Sequence, residues 1–298
     1  MSENEIITVR DALAWAASFF KIKGVESSRL EGEVLLAFVL GVDRVWVLTN
    51  SYEDLQPPDR KEFVRLVKRR ASGYPLQYIT GTKEFMSFEF FVPEGVLIPR
   101  SDTELLIEAV VEAGMQFKHI LDIGTGTGAI AVTLAKLLPG TSVTALDISR
   151  KAVETARENA RRRGVGGRVK VLHADLFTWK TDNSFDAVVS NPPYIPSRDL
   201  PLLQKEVKFE PRQALDGGLD GLKFYHRLTL VALHCLVTGG LFAVETGDGQ
   251  AEAVSGIITA RGGFKGIEIL RDYGGRQRVV RCFRDKGGCD DGRTNRQS

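Results

Sequence analysis

Apolar residues recur at helical spacing through the first seventy or so positions of the chain. Ile6, Val9, Leu13, Ala16, Ala17 and Phe20 form one stripe, and Leu30, Val34, Leu35, Phe38 and Val39 form a second. Ser28-x-x-Glu31 has the form of a capping box for the second helix. Pro57-Pro58-Asp59 opens a third helix carrying Phe63, Val64, Leu66, Val67 and Arg70, and Gly73 closes it. Residues 1–73 are expected to form a small helical bundle. It carries no catalytic constellation, so its use would be partner recognition.

The pattern then changes. Between 74 and 98, Phe85, Phe88, Phe90, Phe91 and Val92 surround short polar breaks, which predicts a β-hairpin linker. Ser101 or Asp102 is placed to cap a helix running to about Gly114. From Lys118 onward short β-branched runs alternate with helical stretches. Strands are predicted at 119–123, 142–147, 168–172, 185–190, 240–246 and 277–284, and helices at 128–138, 149–163, 222–236 and 248–261. Such alternation implies a parallel sheet covered on both faces. The domain thus spans 99–284, and the polar, glycine-rich tail 285–298 is expected to be disordered.

One strand ends in an unusual way. Asp186-Ala-Val-Val-Ser190 runs into Asn191-Pro192-Pro193-Tyr194. Two consecutive prolines cannot continue a central strand, and Asn191 is pushed to an extended conformation by the proline that follows it. The outcome is a stiff loop presenting an amide, bare carbonyls and a phenol ring. The Asn191 side-chain oxygen and the Pro192 carbonyl can each accept one N–H, which suits a planar NH2 group. An ordinary strand-ending turn accounts for the same residues equally well.

About 65 residues earlier, Asp122-Ile-Gly124-Thr125-Gly126-Thr127-Gly128 places a glycine-rich turn between a predicted strand and helix. Asp147 ends the next strand, where it suits two ribose hydroxyls, and Asp175-Leu176 follows the third, with apolar side chains for an adenine. Gly126-x-Gly128-x-x-Ala131 also fits a loose dinucleotide fingerprint, which keeps a nicotinamide dehydrogenase open. Against it stands Asp122, better placed for an ammonium than for a pyrophosphate. S-adenosylmethionine offers an amino group and a sulfonium and no phosphate.

Composition narrows the classes. Over 298 residues the net charge is +2, and residues 1–80 hold 11 basic and 11 acidic side chains, so no basic surplus advertises a duplex-DNA binder. The two basic triplets, Lys68-Arg69-Arg70 and Arg161-Arg162-Arg163, read as solvated helix ends. Cys235, Cys282 and Cys289 show no paired spacing, and His119, His173, His226 and His234 no ligand pattern. Free thiols, no secretory signal in MSENEIITVR and no long apolar run lead to the expectation of a cytoplasmic protein with no metal and no membrane partner.

Asp122-x-Gly124-x-Gly126-x-Gly128, Asp147 and Asn191-Pro192-Pro193-Tyr194 resemble class I methyltransferases that modify planar nitrogen. With Gly73-Tyr-Pro75-Leu-Gln77-Tyr78, Ile98-Pro99-Arg100-x-Asp102-Thr103-Glu104, Phe209-Glu210-Pro211, Glu245-x-Gly247-x-x-Gln250 and Asp272-x-x-Gly275-Arg276, the chain resembles the release-factor glutamine methyltransferases, the HemK-like family. Ser101 stands where that family often has proline. The resemblance covers roughly 1–284. It implies an α/β, Rossmann-like, mostly parallel seven-stranded sheet with an N-terminal helical domain. It further implies methyl transfer from S-adenosylmethionine, leaving S-adenosylhomocysteine, to the glutamine N5 of the Gly-Gly-Gln motif in peptide chain release factors.

In that reading Asn191, Pro192 and Tyr194 carry the chemistry, and with Pro193 they bind the substrate. Asp122, Gly124, Thr125, Gly126, Thr127, Gly128, Asp147, Asp175, Leu176 and Asn191 hold the cofactor. Roles for Arg100, Glu245 and the long 195–221 segment stay open. Stable nucleic-acid binding is not expected, although an exocyclic amine of adenine, cytosine or guanine presents the same planar NH2. A nucleotide-binding regulator without catalysis is the rival from another class.

Overall fold

Thr8 begins the first helix with a reciprocal cap: its hydroxyl accepts from the Asp11 N–H, and Asp11 Oδ2 accepts from the Thr8 N–H at 3.0 Å. The computed structural model, which describes residues 5–286, continues from there through α1 (Val9–Lys23), α2 (Ser28–Leu40), α3 (Arg44–Thr49), α4 (Pro57–Ala71) and α5 (Leu76–Thr80). These helices belong to the first of two compact units, comprising Met1–Lys83, Val92–Gly95 and Leu203–Glu210. Phe20, Leu35, Leu36, Phe63 and Val67 are fully enclosed in it.

Several expectations for this unit are corrected. Ser28 and Glu31 form no capping box: Ser27 occupies the cap and makes no side-chain bond there. The Glu31 carboxylate instead accepts from Nε and Nη2 of Arg70, a charge-assisted fork that outcompetes a backbone N–H. Arg70 is therefore no solvated helix end. It is only 3% exposed and also pairs with Glu206. Helices α3 and α5 were not foreseen, because six and five residues are too few to display a period. The unit also takes in residues 203–210, a division different from the expected segments 1–73, 74–98 and 99–284.

The second unit comprises Glu84–Phe91, Val96–Leu202 and Pro211–Ser298. Its elements are α6 (Glu104–Val111), β3 (His119–Ile123), α7 (Ala129–Leu137), β4 (Ser142–Asp147), α8 (Arg150–Arg162), β5 (Val169–His173) and β6 (Phe185–Ser190). After them come α9 (Lys223–Cys235), β7 (Leu236–Glu245), α10 (Ala251–Arg261), β8 (Phe264–Arg271) and β9 (Gln277–Arg284). A hairpin of β1 (Thr82–Phe85) and β2 (Phe88–Phe91) precedes them in the chain.

The seven-stranded sheet has the order β5-β4-β3-β6-β7-β9-β8. All pairs from β5 to β7 are parallel, and β9 runs antiparallel to both β7 and β8. From β3 the chain steps outward to β4 and β5, then returns to lay β6 on the other side of β3. That reversal opens a crevice beyond the carboxyl ends of β3 and β6, the usual ligand position in open α/β sheets. Leu121, Ile123, Val188, Phe242, Val244 and Val280 pack one continuous core under it.

The element order matches the expected alternation, with three local differences. Strand β8 was not among the strands read from the pattern, since its exposed edge position leaves it largely half-buried rather than apolar. Neither Ser101 nor Asp102 caps a helix: Ser101–Thr103 is a 3-10 turn and α6 starts at Glu104. Asp102 pairs with Arg278 at 3.1 Å instead. Of the tail expected to be disordered from 285, Asp285 is placed, its N–H donating to the Gly263 carbonyl; 287–298, with Cys289, lies outside the described residues.

Candidate functional site

Gly124, Gly126 and Gly128 all adopt the left-handed conformation, at φ 76°, 57° and 80°. The turn they make is held from within. Gly124 and Thr125 both donate their N–H to the Leu146 carbonyl at 2.9 Å, Gly126 donates to Asp147 Oδ2 at 2.9 Å, and Gly128 to the Thr125 carbonyl at 2.8 Å. A pyrophosphate on a helix start needs such N–H groups free. Here those of Gly124, Thr125, Gly126 and Gly128 are spent on the protein itself, so the turn offers none of these four to a phosphate.

The three glycines differ in what they face. A Cβ on Gly126 would meet nothing within 4 Å, so the backbone borders open space there. A Cβ on Gly128 would lie 3.0 Å from Ala156 Cβ, because α7 and α8 cross closely at that point. Gly124 faces the Asn191 carbonyl, 3.8 Å from where its Cβ would stand. The turn after β3 and the proline loop after β6 are therefore neighbours, as their adjacent strands require.

Asp122 lies beneath the turn with no solvent exposure. Its Oδ2 accepts from the Thr125 hydroxyl at 2.6 Å, and its Oδ1 is enclosed without a hydrogen-bond partner. Burial, and then the nearby Asp147, push its carboxyl up to about 7. Asp147 is raised as well, again by burial, although it accepts from the Gly126 and Ser149 N–H groups. Burial holds back the ionisation of both carboxyls, and a positive charge brought near would favour their ionised forms. An amino or sulfonium group arriving at this crevice supplies that charge; a phosphate opposes it.

The sequence placed Thr125 and Thr127 at the ligand, but both side chains are buried in the protein, Thr125 bonded to Asp122. Only their backbone can line the turn. Asp175 caps its own loop through the Phe177 N–H at 2.9 Å. Leu176 is buried, and Arg227 Nε donates to its carbonyl at 2.9 Å. Half-exposed Phe177, among the apolar side chains the sequence offered for an adenine, follows Leu176 directly, and half-exposed Ile148, which it did not single out, follows Asp147; an apolar residue next to an acidic strand end was the available signal.

A pH dependence follows for the protein without ligand. Between the ordinary carboxyl value of 3.8 and about 7, folded Asp122 retains a proton that the unfolded chain releases. Its contribution is full below that window and is lost as pH rises through it, with a slope of up to about 1.4 kcal/mol per pH unit. Asp122→Asn should therefore lose less stability than the parent between about pH 5 and about pH 8 in denaturant titrations. Equal losses in the two proteins rule out a neutral buried Asp122.

Asn191 is fixed by a residue that sequence reasoning left without a role. Its Nδ2 donates to the Thr103 hydroxyl at 2.9 Å, which turns Oδ1 the other way. Pro192 is buried and Tyr194 half-buried. Burial, then the charge of Glu245, raises the Tyr194 phenol above its ordinary value. Gln250 clasps the loop: Nε2 donates to the Tyr194 carbonyl at 2.8 Å, and Oε1 accepts from the Gly247 N–H at 3.1 Å. A Cβ on Gly217 would sit 2.8 Å from Tyr194 Cα, and one on Gly247 2.9 Å from its ring. Glycines at these positions let the loop seat.

The remaining motifs separate into structural and local roles. Asp272 accepts from the Arg276 N–H at 2.9 Å and pairs with Arg278 at 3.4 Å, so Asp272-x-x-Gly275-Arg276 is the tight turn between β8 and β9. Glu104 of the Ile98–Glu104 motif accepts from the Met86 N–H at 3.0 Å through Oε1. Glu245, whose role the sequence left open, is 1% exposed, and burial pushes it up to about 7.

Comparisons with known proteins give the family and the fold. The model of a PrmC N-terminal domain matches residues 11–81, and that of a methyltransferase small domain matches 100–207. A release factor glutamine methyltransferase from Moorella thermoacetica is 45% identical over 280 residues, covering 93% of this chain and 99% of its own. One from Geobacter sulfurreducens is 46% identical, covering 93% and 96%. The chain belongs to the release factor glutamine methyltransferase family. Two solved structures share the fold. A methyltransferase from Pyrococcus furiosus has a TM-score of 0.51 at 17% identity over 75% of this chain and 99% of its own. The human Mettl16 catalytic domain, solved with an RNA hairpin, has 0.55 at 16% identity over 78% and 84%. The fold is that of a class I methyltransferase, as the sequence resemblance implied.

Proposed function

We propose that the protein methylates the side-chain amide nitrogen of the glutamine in the Gly-Gly-Gln motif of peptide chain release factors, using S-adenosylmethionine. The observation that carries this reading is the anchored amide of Asn191, whose acceptor oxygen is the end left to face an incoming N–H. The cofactor fits the crevice on charge: two raised carboxyls beneath a glycine turn whose N–H groups are already bonded. Asp147 would take the ribose, Ile148 and Phe177 would flank the adenine, and Asp122 would supply negative potential under the ammonium and sulfonium. When bound, the cofactor supplies an electrophilic methyl.

The chain's own part is positioning. A carboxamide nitrogen is a poor nucleophile because its lone pair is conjugated with the carbonyl. Asn191 Oδ1 and the Pro192 carbonyl would accept its two N–H bonds and leave the nitrogen lone pair facing the methyl carbon. Orientation of this kind contributes on the order of 7–11 kcal/mol in favourable intramolecular cases. The same two oxygens stabilise the positive charge that develops as the new C–N bond forms and the old S–C pair returns to sulfur. The surplus N–H proton then passes to water, since methylation has made it acidic. Tyr194 would wall the site with its ring.

The helical unit would serve partner recognition, and the reaction would take place in the cytoplasm, where release factors act. Labelled-methyl transfer tests the reading: label is expected on a release factor, not on its glutamine-to-alanine variant, and not on DNA. Label on DNA that rises as salt is lowered would favour the exocyclic-amine alternative.

A further inference from the structure

We propose that Thr103 and Glu245 act as a polar relay that fixes which end of the Asn191 amide faces the substrate, and that this is how the site tells glutamine from glutamate. The proposal rests on the reading of Asn191 as acceptor for the substrate N–H. It extends that reading to two residues outside the proline loop.

The amide of an asparagine is nearly symmetric in shape, so packing alone cannot decide whether oxygen or nitrogen points outward. Hydrogen-bond polarity can. Thr103 is 4% exposed and Glu245 1%, and the Thr103 hydroxyl stands near enough to the Glu245 carboxyl to favour its ionised form. Once ionised, that carboxylate only accepts, so the Thr103 hydroxyl turns its single proton toward it. What remains on the Thr103 oxygen is lone pairs, which accept from an N–H and repel an oxygen. Asn191 is thereby held with Nδ2 on Thr103 at 2.9 Å and Oδ1 away from it. Polarity set at a buried acid is thus passed through a hydroxyl to the amide.

The surroundings favour this direction. Glu245 Oε2 is buried with no partner, so its capacity to accept is not exhausted. Burial is the largest influence on this acid and opposes its ionisation, as does Asp102, held at 3.1 Å by Arg278, whereas Arg278 and Arg100 favour the ionised form, which prevails above about pH 7. The Tyr225 hydroxyl donates to the Glu245 backbone carbonyl at 3.0 Å and fixes the strand end. Thr103 sits at the start of α6 yet makes no helix cap, a position where a threonine hydroxyl usually bonds the backbone. Its hydroxyl is committed to the relay instead.

With oxygen outward, Asn191 attracts the NH2 of a glutamine and repels either oxygen of a glutamate. If the amide were free to turn, it would donate to a carboxylate equally well. A site built to pair one hydrogen-bonding pattern rejects the other strongly because the mismatched groups stay unpaired.

The test compares Thr103→Val, Thr103→Ser and Asn191→Ala at about pH 8, above the value of Glu245, where the acid is ionised. Two probes are used: a release factor, and the same protein with glutamate in place of the target glutamine, read as a competitor. Thr103→Val, nearly isosteric, is expected to lower kcat about tenfold or more and to erase most of the preference for glutamine over glutamate, with S-adenosylhomocysteine affinity within a few fold. Thr103→Ser is expected to recover most of both. Thr103→Val with preference and kcat near the parent overturns the relay. So does equal loss in the serine and valine proteins with a matching fall in melting temperature, which would make Thr103 merely structural. Full turnover in Asn191→Ala overturns the underlying reading and the relay with it, whereas its loss beside an unaffected Thr103→Val removes the relay alone.

Discussion

Asn191→Ala is expected to lower kcat about a hundred- to a thousand-fold, the usual cost of deleting one preorganised polar group from a reacting centre. The alanine removes the acceptor aimed at the substrate N–H and leaves the Thr103 hydroxyl without its donor. It leaves the cofactor crevice intact, since the neighbouring contact with Gly124 is made by the Asn191 backbone carbonyl. Binding of S-adenosylhomocysteine should accordingly stay within a few fold, and the melting temperature should fall by only a few degrees, because the side chain is half-buried. Single-turnover methyl transfer checks the first expectation and calorimetry the second. Turnover within about threefold of the parent would remove Asn191 from the chemistry.

The second large effect concerns folding rather than chemistry. Gly128→Ala places a Cβ 3.0 Å from Ala156 Cβ and 3.1 Å from its Cα, at φ 80°. The left-handed conformation costs about 1–2 kcal/mol for a residue with a Cβ, and overpacking against α8 adds about 1–3. A loss of about 2–5 kcal/mol is expected, enough to threaten a domain of ordinary stability. Gly126→Ala is the matched control. It carries the same kind of backbone strain at φ 57° with nothing within 4 Å, so only the first cost applies. It should instead weaken cofactor binding, because its methyl occupies the open side of the turn. Equal destabilisation in the two variants, measured by denaturant unfolding, would show that the close approach of α7 to α8 does not matter.

Short-range chemistry made much of this molecule readable in advance. The parallel alternation of strands and helices followed from β-branched runs separated by helical periods, and the strands from β3 to β7 lie where those runs stand. The crevice was also foreseeable in outline. Gly124 to Gly128 follow a strand directly, Asp147 ends the next, and Asn191 meets two prolines, so each residue announces a strand's carboxyl end by its local chemistry. The failures had two different causes, one distant and one local. The Ser28–Glu31 box looked sound, yet Arg70, thirty-nine positions from Glu31, offered a stronger partner. Edge strand β8 escaped notice because half-buried positions blur the alternation.

The sequence by itself determined the order of elements, the turn that glycine alone can make, and the rigid bend that two prolines impose. All of these arise within a few residues, from sterics and backbone hydrogen bonding. Only the tertiary structure decided the electrostatics of the candidate site: that Asp122 is sealed beneath its turn and raised by that burial and by Asp147, and that Asn191 is held by Thr103, 88 residues away. Burial and charge proximity depend on which distant segments meet, and the sheet order settles that. A carboxyl or a hydroxyl carries no mark in sequence of the solvent it will lose or the partner it will gain.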